Sequence, residues 1–402
     1  MSEWQSYKIK DVGTVVTGNT PPTSKREFYG TEYKFIKPTD MQEGQRFVPE
    51  TEEYYSELAF QKYQKSLLPK NTPCVVTIGS LGKKMCLTDE PSFTNQAVNA
   101  VIPNKEFDGV FLYYCLRTRL AYVKQLDSGT TSGRENVSKS SFSNITLKAP
   151  SLPTQKKIAS VLSAYDNLIE NNDKRIKILE QIAENLYKEW FVRFRFPGHE
   201  TTPIENGIPK GWEYKRADEV IDFNPTIKTG DKKNFTIIPM EALSTSSMVI
   251  DSNSFIIQDT ISGRRSQNGD TLLAKITPCL ENGKTGFVMG LPEGEVFGGS
   301  TEFIVMRSKT LTPHYVYCIA RSQYFRQTAI LSMNGADGRQ RVDENKLKST
   351  KILQPTQTLL NHFEKNVSPL FESISRLIKE NTNLIKQRDL LLPRLMSGKI
   401  DV

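Results

Sequence analysis

Phosphate handling is the first chemistry that the residue types of this chain suggest, and the spacing does not support it. Gly79-Ser80-Leu81-Gly82-Lys83-Lys84 has the glycines and lysine of a phosphate cradle but is shorter than GxxxxGK[ST]. No GxGxxG opens a helix, so neither a dinucleotide nor an S-adenosylmethionine fold is indicated. Asn19-Thr20-Pro21-Pro22 matches the amino-methyltransferase tetrad NPPY only loosely, lacking the aromatic and the unbroken Asn-Pro-Pro. The three histidines, His199, His314 and His362, fit no zinc spacing. A metal-dependent nuclease needs clustered carboxylates beside a lysine. Glu32-Tyr33-Lys34 with Asp11 upstream, or Glu213-Tyr214-Lys215, can be forced into that pattern, but charged surface strands produce it readily. No residue receives a catalytic or metal-binding assignment.

What remains is a set of polar and basic loops. The first half offers Asn19, Thr20, Lys25, Arg26, Lys83, Lys84, Arg134 and Lys139; the second offers Arg264, Arg265, Lys275, Arg339 and Arg341. Lysine and arginine neutralise phosphates, while Arg, Asn and Gln read base edges in a groove. Taken singly, each is most simply a solvated surface charge. Arg134 and Arg339 stand apart because Gly133–Arg134 and Gly338–Arg339 recur at the same offset, with Val137 and Val342 behind them.

That recurrence belongs to a repeat of the whole chain. Each half opens on a tryptophan, Trp4 before YKIKDVGTVV and Trp212 before EYKRADEVIDF. Each continues with a strand ending in FIKPTDM (35–41) or IIPMEAL (237–243), then a Gly-rich apolar section (74–87, 271–288). A short amphipathic helix (111–123, 315–327) and the Gly-Arg loop complete each set. Both halves then run into a long helical pattern introduced by Pro-Thr-Gln. The first presents Ile158, Val161, Tyr165, Leu168, Ile176, Leu179, Ile182, Leu186 and Trp190. The second presents Leu360, Phe363, Val367, Leu370, Ile374, Leu377, Leu384, Leu391 and Leu395. These are the seven-residue seams of a coiled coil. Asn172 and Asn381 interrupt them, either as buried residues that set the register or at a wet edge. Pro369 should kink the second pattern or mark its true start. The proline- and glycine-rich stretch between the halves reads as a connector.

With 402 residues the chain has room for several cores. Its net charge of +8 and pI near 9.0 favour a polyanionic partner. The opening MSEWQSYKIK lacks the apolar run of a signal peptide, and no stretch is apolar enough to span a bilayer. Five cysteines without a CxxC read as reduced core residues, so a cytoplasmic location is expected.

Several segments resemble the specificity subunit of type I restriction–modification systems: APSLPTQKKIASVLSAYDNLIENN ending in LYKEWFVRFRFPG, QPTQTLLNHFE ending in QRDLLLPRLMSGKI, and the link PIENGIPKGWEYKRADEV. The resemblance covers essentially the whole chain. It implies an α+β fold with an internal pseudo-twofold repeat, in which two α/β target recognition domains (1–150, 213–352) are separated by two antiparallel coiled-coil spacers (151–195, 353–402), with a connector at 196–212. It implies a non-catalytic subunit that reads a bipartite, asymmetric duplex DNA target. Two methyltransferase subunits would dock on the spacers and motor-nuclease subunits would join, carrying S-adenosylmethionine, ATP and Mg²⁺ themselves. By position, Leu186, Trp190, Phe191, Leu391, Leu392 and Leu395 are candidates for coiled-coil or partner contacts, together with Tyr165, Leu168, Asn172, Leu179, Leu370, Ile374 and Asn381. A spacer helix over 155–190 would span ~50 Å, comparable with one to one and a half turns of B-DNA. Two readings from other classes stay open: a self-sufficient restriction endonuclease with a similar recognition fold, and a coiled-coil scaffold without a DNA role.

Overall fold

Sequence repetition becomes repetition of strand order. The computed structural model describes residues 4–127, 135–229, 233–290, 292, 294–336 and 338–402. Contacts divide it into two units, Met1–Glu170 with Asn383–Val402, and Asn171–Thr382.

In the first unit a four-stranded sheet runs in the order Gly13–Thr17, Val98–Pro103, Pro73–Val76, Met85–Leu87. A second sheet carries Tyr54–Tyr55, Tyr29–Ile36 and Ser92–Thr94, and Gln5–Lys8 pairs antiparallel with Thr146–Ala149. The second unit repeats this plan. Ile221–Phe223, Phe303–Ser308, Thr271–Ala274 and Thr285–Phe287 form the first sheet, and Glu213–Arg216 pairs with Lys351–Gln354. Its second sheet gains a strand, running Ile256–Gln258, Phe235–Ile238, Phe297–Gly299, Arg264–Ser266.

The central strands PCVV and TLLA are apolar on both faces because each separates two cores. Val75 enters one cluster while Cys74 and Val76 enter another; Leu273 and Leu272 divide in the same way. Alternation of side chains along a strand makes this division possible. Against the sheet of the first unit lies a helix, Gly109–Gln125, capped by the Asp108 carboxylate, which accepts from Phe111 N at 2.9 Å. Its counterpart is broken into Pro313–Arg321 and Gln323–Leu331. Ser322 makes the break, its hydroxyl capping the second piece.

The long patterns form helices Leu152–Tyr187 and Gln357–Met396. The second begins well before Pro369, so that proline lies inside the helix instead of starting it. In both units the contacts pair rising numbers in one helix with falling numbers in the other. Lys157 donates to Val402 O at 3.3 Å and Arg388 to Asp166 at 2.6 Å in the first unit. Asn172 donates to Asn381 at 3.0 Å, and the Trp190 ring packs tilted against Phe363, in the second. The segments within each unit are therefore antiparallel.

The expected seam of the first helix needs correction. Val161, Leu168 and Ile182 are exposed, while Leu162, Asp166 and Ala183 face inward. Apolar periodicity missed this because polar side chains occupy inner positions with partners of their own. Gln155 accepts from Asp108 N and donates to Pro150 O. Asp166 accepts from Arg388 and from the Tyr114 hydroxyl. Burial of Tyr114 and the neighbouring Asp166 carboxylate push that phenol well above its ordinary pKa. Of the two readings of the central asparagines, the buried one holds: both are nearly inaccessible, and the Asn381 amide also donates to Asp173 at 2.8 Å.

Candidate nucleic-acid interface

In each unit the backbone leaving the central strand is tied to the segment behind the Gly-Arg pair. Val137 N donates to Thr77 O at 2.8 Å and Gly79 N to Glu135 O at 3.0 Å. Val342 N donates to Lys275 O at 2.9 Å and Thr277 N to Gln340 O at 3.0 Å. Bridges between Ile78 and Asn136 and between Ile276 and Arg341 complete the match. Thr77 thus corresponds to Lys275, Asn136 to Arg341 and Lys139 to Glu344. A second device is also duplicated. The Lys84 ammonium donates to Pro38 O, and the Lys284 ammonium to Met240 O, both at 2.9 Å. Lys84 therefore holds one loop to another, and its twin Lys284 escaped notice in the sequence.

Side chains filling this shared frame differ. The first unit places a neutral chain there. Thr17 donates to Asn99 Oδ1 at 2.5 Å, and Asn99 Nδ2 donates to Thr77 Oγ1 at 2.9 Å. Nearby, exposed Thr20 donates to Gln96 Oε1, also exposed. Asn19 is anchored, its amide donating to Ser66 and its carbonyl accepting from the Tyr55 hydroxyl. Lys25, Lys83 and Lys139 are exposed, the first with its ammonium 5.9 Å from the Phe28 ring centre. Gly133 and Arg134 lie outside the described residues.

The second unit places charges there. Glu344 accepts from Asn224 at 2.9 Å, Arg264 at 3.2 Å and Lys275 at 3.4 Å. Arg341 is held by two nitrogens on Glu302. Those hydrogen bonds, with the nearby Lys275 and Arg264, hold the Glu302 carboxyl below its ordinary pKa. Arg265 donates to Ile227 O at 2.6 Å, beside a pocket of about 220 Å³. Arg339 is exposed and follows Gly338, whose φ of 77° lies in the left-handed region that favours glycine. Sequence reasoning brought together Arg264, Lys275 and Arg341 but overlooked the acids that neutralise them. In the first unit it overlooked Thr17, Thr77, Gln96 and Asn99. A polar residue inside the buried strand VNAVIP was the available signal for Asn99.

Most side chains of the triads considered for metal chemistry have local partners. Lys34 is buried, and its ammonium bonds Asp89 and Val48 O. Asp11 accepts from Lys8 N, and Lys215 pairs with Glu213. Among the described residues no group of three or more His, Cys, Asp or Glu could hold a metal ion.

Most helix candidates pack within their own unit. Trp190, Phe191 and Ile374 are buried in one core, with Leu179, Leu186 and Leu370 at its edge. Leu392 and Leu395 are buried in another core, with Leu391 beside it. Tyr165 is half-buried and Leu168 exposed. The first unit also exposes Val161 and Leu390, and the second Ile178 and Ile182.

Comparison with known proteins gives the arrangement its context. The model of the type I restriction modification DNA specificity domain matches residues 1–181. The MjaIX specificity subunit of a type I restriction enzyme from Methanocaldococcus jannaschii is 27% identical over all of this chain and 94% of its own length. The HindI specificity subunit from Haemophilus influenzae is 35% identical over 42% of this chain and 38% of its own. The crystal structure of a type I restriction-modification S subunit from M. genitalium shares the fold, with a TM-score of 0.61 at 16% identity, covering 98% of this chain and 96% of that one. Family match over residues 1–181, full-length relatives and common fold agree: the chain is similar throughout its length to type I restriction–modification specificity subunits.

Proposed function

We propose that this chain reads duplex DNA for a type I restriction–modification complex, each unit contacting one half of a bipartite, asymmetric target. The observation that carries the reading is the duplicated loop frame with different side chains: one scaffold, two chemistries. The exposed Thr20 hydroxyl and Gln96 amide in the first unit suit base-edge hydrogen bonds, while arginine and lysine in the second suit guanine and phosphate. Methyltransferase subunits would dock on the helices, where Val161, Leu168 and Leu390 of the first unit, and Ile178 and Ile182 of the second, leave apolar surface uncovered. S-adenosylmethionine, ATP and Mg²⁺ would be held by the partner subunits, and the chain itself would recognise without catalysing. No helix among the described residues is long and apolar enough to cross a membrane, and we place the chain in the cytoplasm with its DNA.

Mapping methylated adenines in cells making this chain with its neighbouring methyltransferase subunit tests the reading. A bipartite motif should appear only when the chain is present. Arg134→Ala should then relax one half-site and Arg339→Ala the other. An unchanged motif in both variants would remove the Gly-Arg loops from read-out, and no chain-dependent motif would remove the function.

A further inference from the structure

A broad cavity lies wholly within the second unit and away from the loop frame. It is an open groove of about 970 Å³. Its walls are the end of the first long helix, the broken helix pair around Ser322, and strand Lys351–Gln354. Phe191, Tyr315, Tyr317 and Met248 make a buried floor. Tyr214, Tyr324 and Val192 stand at the rim with 57%, 60% and 59% of their surface exposed. Aromatic residues and arginine over an apolar floor are the composition of an interface hot spot.

Charge narrows the occupant. Five lining cations face two carboxylates, and both carboxylates are already engaged. Glu180 accepts from Ser247 Oγ and Met248 N at 2.6 Å, and Glu184 pairs with Lys188 at 2.6 Å. Arg321 is spent on the carbonyls of Thr245, Ser246 and Gly283. Arg326 and Lys351 form no ion pair among the described residues, so the groove offers positive charge beside bare aromatic surface.

We propose that this groove seats an acidic segment with apolar anchors, contributed by the modification subunit. The inference rests on the reading that the chain assembles with such a subunit, and it adds a location and a chemistry. Apolar side chains of the segment fill the floor between Tyr317 and Tyr324, and its carboxylates meet Arg326 and Lys351.

The test uses the full chain and the purified modification subunit encoded beside it. Hydrogen exchange should show protection over 187–194, 315–327 and 351–353 on complex formation. Arg326→Glu with Lys351→Glu should weaken the complex at least about tenfold, and added salt should weaken the wild-type complex. Tyr324→Ser, at an exposed position, should weaken it by about tenfold without lowering the unfolding temperature. Changing acids in the partner's protected segment to lysine should restore binding to the double variant. A complex that forms with the groove unprotected, or variants that bind like the wild type, would overturn the inference and leave the proposed function standing. Absence of any complex with the wild-type chain would overturn both.

Discussion

The two units share a strand order and a loop frame yet solve the same local problem with opposite chemistry. Where the first unit has Thr77 bonded to Asn99, the second has Lys275 bonded to Glu344. Where the first has an exposed Lys139 opening a short helix, the second has Glu344 holding Asn224, Arg264 and Lys275. The contrast extends to the paired helices. An ion pair, Asp166–Arg388, is buried in the first unit, and an amide pair, Asn172–Asn381, in the second. The difference teaches that backbone hydrogen bonds preserve the frame, so side chains at its crossings are free to diverge. A frame of that kind can serve two different half-sites without rebuilding the fold.

Asp166→Ala should break the comparison most severely. It strands the buried Tyr114 hydroxyl and leaves Arg388 only the half-exposed Asp389, and should cost about 3 kcal/mol in denaturant unfolding, the low end for a broken buried pair. Asn381→Ala removes the matching contact of the second unit, taking the acceptor from the neutral Asn172 amide and one donor from Asp173. A loss of about 1–3 kcal/mol is expected. Equal losses would mean that the charged and uncharged contacts are energetically equivalent.

Salt titration of DNA binding sharpens the loop comparison. Glu344→Gln frees two cations and should steepen the slope of log affinity against log salt by about one to two. Lys139→Gln removes one cation at the matching position and should flatten it by about one. Slopes that do not move in opposite directions would place these residues away from phosphate.

Acid should produce the smallest effect. The Glu302 carboxyl has a depressed pKa, chiefly through hydrogen bonds from Arg341. Its contribution is complete above the ordinary carboxylate range and is lost as pH falls through the folded value. Asn136, which occupies the Arg341 position in the first unit, has no charge to lose. Exchange of the Val342 amide should therefore quicken on acidification more than exchange of the Val137 amide, once intrinsic rates are divided out.

Much of this architecture could be read from particular residues. Pro-Thr-Gln before each periodic run, the matched tryptophans and the two Gly-Arg pairs led to a duplicated α+β chain with long helices. Reading failed where a polar side chain was buried with its own partner. Asp166, Gln155 and Asn99 look like surface residues in a hydropathy pattern, because a pattern cannot show that a donor waits far away along the chain. The same limit hid Glu302 and Glu344, whose ion pairs decide how much of the basic character of Arg264, Lys275 and Arg341 remains available.

The sequence by itself determined the repeat and the helical spacers, since these rest on local order and periodicity along one chain. Only the tertiary structure decided which helix face is covered, which lysines staple loops, and where the two units differ in charge. Those outcomes depend on distances between residues that the chain keeps far apart, and folding alone brings them within hydrogen-bond reach.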